Sequence, residues 1–404
     1  MSACGGDDDG GASEFDLVIG DLLPLSGDLA DFGPPWEKSA NLAVDEIRAA
    51  IDEVGADQTV EVIHEDTQTD PQAAVSAARK VVGQGATCIS AAPSTAETIP
   101  VAESVAVRDE ILQISPGSTS DDTTKVEDDG YLNRTILANR LQGPALADLV
   151  EERLGGAEGK VVNVGARNDA YGTGLADTFG AAWEEKGGEV GQEVIYDPEQ
   201  PSYDSEASQI VEGDPDGWVI IDFPETFGIV GPALVRTGEW DPARAFVSEG
   251  LFSSSLPADV GEEVTEGIHG TNPGSPDADA AARAFDALYK GAPGPKKRQS
   301  SDAQNFDAVI LCYLSAVAAG SSDGPAMAEQ LQAVSGPPGE KFTFEQLSDA
   351  VEALQDGEDI DYEGAAGPID LDDNGDPTAG AYDLFRYRNA KLEEYGEVPI
   401  GPNE

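Results

Sequence analysis

Apolar positions along this chain switch between a period of two and a period of about 3.6, in a repeating order. Phe15-Asp16-Leu17-Val18-Ile19-Gly20 alternates as a strand does. It runs into Leu23-Pro24-Leu25-Ser26-Gly27 and a loop through Phe32-Gly33, and helical spacing then takes over from Trp36 to Ala50, with Ala40, Ala43, Val44 and Ile47 on one face. Val60 to His64 is the next strand. Asp70-Pro71-Gln72 opens a helix with an acid at the cap and proline at the first helical position, and its apolar face is Ala74, Ala77, Ala78, Val81 and Val82. Thr87 to Ser90, the loop Ala91 to Thr95, a helix through Val101 to Arg108 and the run Ile111-Leu112-Gln113 repeat the order. This predicts β-α-β-α-β-α-β with a parallel sheet and right-handed crossovers.

After Leu141-Gln142-Gly143-Pro144 the order restarts. A helix is predicted over Ala145 to Leu154, a strand over Lys160 to Gly165, the loop Asn168-Asp169-Ala170-Tyr171-Gly172 and a helix from Leu175 to Lys186. Gly217 to Ile221 and Ala245 to Val247 read as strands that end in acids, Asp222 with Glu225 and then Glu249. Further helices fall at Asp277 to Tyr289, Phe306 to Ala319 and Phe342 to Gln355, and a hairpin is expected around Asn374-Gly375. Two successive α/β units in 404 residues imply two lobes with a cleft between them.

Charge narrows the partners. With 78 acids against 23 lysines and arginines, the formal charge of -55 disfavours nucleic acid and anionic membrane surfaces. The acids are spread through every segment, so they read as a solvated surface, and the triplet Lys296-Lys297-Arg298 reads as a surface loop. Cys88 and Cys312 lie in apolar runs without metal spacing and are expected to be buried thiols. Cys4 precedes the flexible stretch Asp7 to Ser13 and resembles the cysteine that becomes the lipidated N-terminus of a bacterial lipoprotein, with its hydrophobic leader missing. No run reaches the roughly 18 apolar residues of a membrane span. Asp370 to Asp376 imitates half of a calcium loop, but Ala381 stands where the bidentate glutamate belongs, so no metal is expected. There is no Gly-x-Ser-x-Gly elbow or phosphate loop, and His64 and His269 have no nucleophile beside them, which argues against a hydrolase.

Ile114-Ser115-Pro116-Gly117-Ser118-Thr119 ends a buried strand with a glycine and hydroxyls, either a plain turn or a place to hold a small carboxylate. Landmarks in order along Phe15 to Tyr395 decide how it is read. Pro24-Leu25-Ser26-Gly27, Asp70-Pro71, Ile114-Ser115-Pro116 with Thr119, Arg134-Thr135 with Gln142-Gly143, Asp169 to Gly174, Ser248-Glu249-Gly250 and Tyr362-Glu363-Gly364 together resemble the periplasmic branched-chain amino-acid-binding proteins. These are the type I solute receptors of ABC importers.

That resemblance implies a two-lobed type I fold, each lobe a parallel sheet flanked by helices, with three interlobe crossovers. The implied division is a linker over 1–14, an N-terminal lobe over 15–138 and 272–334, and a C-terminal lobe over 139–271 and 335–404. It also implies an extracytoplasmic, lipid-anchored monomer without cofactor or catalytic activity, whose partners are a small ligand and the permease subunits. Hinge closure would hold an amino acid in the cleft, its carboxylate on Ser94 or Thr95, Gly117 and Thr119, its ammonium on Glu249, with Tyr171 closing over it. Phe32 stands where relatives often have tyrosine, and Trp36 is a wall or core residue. Glu225 or Asp222 either adds a second acid to the cleft or, for Asp222, caps the next helix. An amide or other small carboxylate as ligand, or a sensor coupled to signalling, is the alternative.

Overall fold

The computed structural model describes residues 14–274, 280–295 and 297–401. Cys4, Asp277 and Lys296 therefore lie outside the described residues. The first sheet is built from β1 (Phe15–Leu23), β2 (Gln58–Asp66), β3 (Cys88–Ser90), β4 (Leu112–Ser115) and β5 (Leu132–Arg134), in the spatial order β2-β1-β3-β4-β5. Every pairing is parallel, as the alternating elements predict. One face packs on the helices Gly33–Val54 and Asp302–Ala319, and the other on the alanine-rich face of Pro71–Val82. Asp70 caps that last helix by accepting the Ala73 N–H at 2.7 Å, with Pro71 at its start.

The second sheet takes β6 (Val161–Arg167), β7 (Glu189–Tyr196), β8 (Gly217–Ile221), β9 (Ala245–Val247) and β10 (His269–Gly274). A three-stranded sheet of β11 (Glu340–Thr343), β12 (Ile360–Gly364) and β13 (Gly367–Pro368) follows, and then β14 (Gly380–Arg388) and β15 (Lys391–Ile400), which complete the order β15-β14-β10-β9-β8-β6-β7. The strands from β7 to β10 pair in parallel, whereas β10, β14 and β15 pair antiparallel. The second sheet is thus parallel with an antiparallel hairpin at one edge. That edge hairpin turns at Asn389-Ala390, both at positive φ, while Asn374-Gly375 turns a smaller antiparallel ladder, in which Leu371 bridges Pro377 and the Asp372 N–H donates to the Asp376 carbonyl at 2.9 Å. Tyr382, Leu384, Phe385 and Tyr387 find apolar partners in the second lobe beside β10, and this sets the register the turn residues do not.

Chain returns follow the cores. The chain leaves the first sheet after β5, comes back after β10 with Phe285 and Tyr289 in the first core, and leaves again after Ile369. Phe342, Phe344, Leu347, Val351, Ile360 and Tyr362 also belong to that first core. The expected change of lobe at 334/335 is therefore corrected to a point past Ile369, because this apolar helix and strand bury against the helix Gly33–Val54.

Cys88 and Cys312 correct another expectation. They form a disulfide, with Cα atoms 5.9 Å apart, that ties β3 to the helix Asp302–Ala319 across 224 residues of sequence. The apolar runs around them are the two buried surfaces it joins. Replacing both cysteines by alanine is expected to lower the unfolding free energy by ~2–5 kcal/mol, since the bridge closes a long loop in the unfolded chain. A urea titration beside the wild type reads this as a lower midpoint. Arg298, too, is less exposed than a surface loop suggests: it pairs with Asp302 at 2.5 Å and lies over the Phe285 ring at 4.5 Å.

Candidate ligand site between the lobes

Loops at the carboxyl ends of both sheets meet around one apolar cavity. Leu29, Phe32 and Trp36 form one wall and Pro93, Ser94, Thr95, Gly117 and Ile136 the rim of the first lobe. Tyr171, Phe223, Glu249 and Gly250 face them from the second lobe, and Ser300 and Ser301 close one end. Ser94 and Thr95 begin the helix Thr95–Val101, where the first backbone N–H groups have no partner within the helix. Trp36 is held by its indole N–H, which donates to the Ser300 carbonyl at 2.7 Å. Gly117 is required by close approach, because a Cβ there would lie 2.2 Å from the Pro93 oxygen and 2.9 Å from the Trp36 ring.

The opposite wall is assembled from two helix starts and one strand end. Tyr171 is the second residue of Ala170–Glu185, whose cap is Asp169 accepting the Gly172 N–H at 2.9 Å. Its ring stacks on Phe223 at 5.0 Å and 14°, and its hydroxyl bonds to Ser248 at 2.7 Å. Glu249 follows β9 and opens a single 3-10 turn. A Cβ on Gly250 would come within 2.4 Å of the Asp222 carbonyl, so glycine is what lets this turn sit against the loop after β8.

Glu249 is 7% exposed and has no lysine or arginine paired with it among the described residues. Burial lifts its carboxyl to about 7, against the opposing hydrogen bonds from the Gln142 amide and the Tyr171 hydroxyl. Tyr171 in turn is pushed well above the ordinary phenol value by burial and by the Glu249 charge. A buried carboxylate with hydrogen-bond donors but no countercharge is short of a cation, and a ligand ammonium would supply it.

Of the residues expected at the site, Phe32, Ser94, Thr95, Gly117, Tyr171 and Glu249 line the cavity. Thr119 and Glu225 do not. Thr119 is fully buried behind the rim, its carbonyl accepting the Asn139 N–H at 2.6 Å, and Glu225 is exposed in the first turn of Pro224–Thr237. Asp222 is buried and lifted to about 7 by desolvation, yet it does not line the cavity. It accepts from the Tyr196 hydroxyl at 2.9 Å and the Phe223 N–H at 2.8 Å, and lies 3.7 Å from Arg167. Arg167 covers the Phe223 ring at 3.8 Å and reaches across the cleft to Asp28 at 3.0 Å. Asp222 therefore holds the wall in place, outside the cavity lining, and the cap of Pro224–Thr237 is Phe223. Leu29, Pro93, Ile136, Ser300 and Ser301 escape sequence reading. The polar run Gln299 to Asp302 does mark a helix start, but nothing local says that this start points at the cleft.

The family model for periplasmic binding proteins matches residues 16–389. The chain belongs to the periplasmic binding protein family. It is 27% identical to the Leu/Ile/Val-binding protein homolog 3 of Brucella melitensis over 94% of both chains. It is 24% identical to the chemotactic signal transduction system substrate-binding protein BasB of Halobacterium salinarum, over 93% of this chain and 88% of that one. Among solved structures, the leucine-binding protein LivK of Thermotoga maritima superposes with a TM-score of 0.76 at 21% identity, covering 96% of this chain and 99% of that one. LivJ of Streptococcus pneumoniae, in complex with isoleucine, gives 0.75 at 21% identity, covering 96% and 100%. The two-lobed type I fold is thereby established, and the family places the chain outside the cytoplasm. A long-range disulfide suits an oxidising compartment.

Proposed function

We propose that this protein is the receptor of an ABC importer and captures one small amino acid with an apolar side chain in the interlobe cavity. The observation that carries the reading is Glu249, a buried carboxylate without a countercharge, facing the Ser94, Thr95 and Gly117 rim across a cavity otherwise walled by Leu29, Phe32, Trp36, Ile136 and Phe223. A zwitterion fits such a space with its ammonium on Glu249 and its carboxylate on the rim N–H and hydroxyl groups, and its side chain among the apolar walls. Binding would close the lobes onto contacts that already bridge them: Arg167 to Asp28 at 3.0 Å, and Asp31 to the Ser253 and Ser255 hydroxyls at 3.1 and 2.5 Å. The closed monomer would dock on permease subunits and release its ligand there. Cys4 would carry the lipid that keeps it at the membrane.

Calorimetric titration with a panel of amino acids, amino-acid amides and simple carboxylates tests this. One apolar amino acid is expected to bind with one-to-one stoichiometry, better than its amide and better than any carboxylate lacking an amine. Tighter binding of an amine-free carboxylate would sink the assignment of Glu249. A second reading, a sensor that passes its closed state to a signalling partner, is favoured by the similarity to BasB. It uses the same cavity, and it predicts co-purification with a membrane signalling protein instead of a permease.

A further inference from the structure

Behind Ser94 lies a second buried carboxyl that capture itself does not require. Glu97 sits in the first turn of the helix Thr95–Val101 and is fully buried, and its Oε2 accepts the Ser94 hydroxyl hydrogen at 2.6 Å. Its Oε1 meets no donor in ordinary geometry among the described residues, although the Thr67 hydroxyl and the Ser94 backbone N–H lie near enough to favour the charged form. A serine hydroxyl has one hydrogen. While it points at Glu97, the face that Ser94 turns to the cavity can only accept, so it cannot donate to a ligand carboxylate. Turning that hydrogen toward the ligand would leave two acceptor oxygens facing each other at 2.6 Å in a dry site, unless Glu97 itself carries a proton and becomes the donor.

We propose that Glu97 is a positioning residue that couples ligand capture to proton uptake, taking one proton from solvent when a ligand carboxylate claims the Ser94 hydrogen. The step makes and breaks no bond but O–H: solvent supplies the proton, Glu97 becomes a neutral acid donating to Ser94, and Ser94 donates to the ligand. The surroundings favour this. Burial brings the Glu97 carboxyl to about 7, opposed by the Ser94 and Thr67 hydrogen bonds, so the change in charge is reachable at neutral pH. Asp70, at the start of Pro71–Val82, acts on it as a like charge and favours the neutral form. Among the described residues the other elements packed on this helix add no free cation facing it: Ala102–Ala106 brings only the exposed Glu103, Ala170–Glu185 the neutral Tyr171, and in the turn Thr123–Lys125 the lysine is paired with Asp122 at 2.8 Å.

This rests on the proposed placement of a ligand carboxylate at Ser94, and its test separates the two. L-leucine is titrated by calorimetry into the whole protein in phosphate and in Tris, across about pH 7.8 to 8.5, where Glu249, lifted only to about 7, is already ionised before binding and its own proton release is small. Expected for the wild type is a buffer-dependent enthalpy that reports proton uptake, and a Kd that rises by up to about tenfold per pH unit above the Glu97 value. Glu97→Gln, whose amide donates to Ser94 permanently, is expected to bind leucine with that alkaline limb flattened and the uptake gone. Ser94→Ala, which leaves the carboxyl but removes the shared hydrogen, should lose the uptake as well. Uptake that is absent in the wild type, or unchanged in both variants, overturns the proposal while leaving leucine binding intact. No binding heat in the wild type from L-leucine or from any other apolar amino acid of the panel would instead strike the amino-acid reading, and the proton coupling would fall with it.

Discussion

Glu249→Gln is expected to weaken amino-acid binding by about 2–5 kcal/mol, on the order of 30- to 5,000-fold in Kd. Glutamine keeps the size of the side chain and can still bond to Gln142, but it leaves the ligand ammonium buried opposite a neutral group. The loss should not be a folding defect. Because burial raises the Glu249 carboxyl to about 7, the empty protein holds that group less favourably ionised than the unfolded chain does, so the glutamine variant should be at least as stable at neutral pH. Leucine calorimetry together with thermal unfolding of the ligand-free protein separates the two effects. The same sign governs acid: as pH falls through about 7 the wild type loses the charge that holds the ammonium, and Kd rises on that side. Full affinity in Glu249→Gln would remove this residue from the site.

Arg134→Met is expected to lower folding stability by up to about 3–5 kcal/mol, because it leaves the buried Asp376 with only the partly exposed Arg140, at 2.9 Å, as countercharge. Arg134 is fully buried at the first crossover between lobes, where its Nε donates to Asp376 at 2.6 Å. Its remaining N–H groups reach the carbonyls of Ser118 and Ser120 at 2.9 Å each and the Thr124 hydroxyl at 2.8 Å. One guanidinium thus ties the loop after β4 to the third crossover, and it pins the segment whose Gly117 forms the cavity rim. Burial works to raise the Asp376 carboxyl, yet the bond and charge of Arg134 outweigh it and hold the group below its ordinary value. A depressed carboxyl contributes stability that is present above the unfolded carboxylate value and is lost as pH falls through the folded one. Urea midpoints of the wild type, Arg134→Met and Asp376→Asn at neutral and acid pH check this. A double variant less damaged than Arg134→Met alone would show that the stranded charge, and not lost packing, carries the cost. Equal midpoints for wild type and Arg134→Met would sink it.

Much of the fold is legible along the chain where one face of an element is buried. The parallel order of the first sheet follows from strands and helices whose apolar spacing is strict, such as Phe15 to Gly20 and the Ala74 to Val82 face. β7 escapes that reading for the same reason: Glu189, Gln192 and Glu193 on this edge strand are exposed, so no alternation shows. Phe342 to Gln355 reads as an amphipathic helix, but which lobe it joins depends on the partner surface that fits it. Landmark loops named six residues that meet at the cavity, because a strand end in an open parallel sheet is a place where groups face a crevice.

By itself, then, the sequence determined two α/β units, their cleft, and an acid after β9 that faces a Ser/Gly rim. Tertiary structure alone decided the rest. It joined Cys88 to Cys312, placed Ser300 and Ser301 at the end of the cavity, turned Glu225 to solvent and Thr119 inward, and set Glu97 behind Ser94. Local patterning states which face of an element avoids water. Pairings between residues far apart in the chain, and the direction a loop side chain takes, are set by packing that no short window of residues contains.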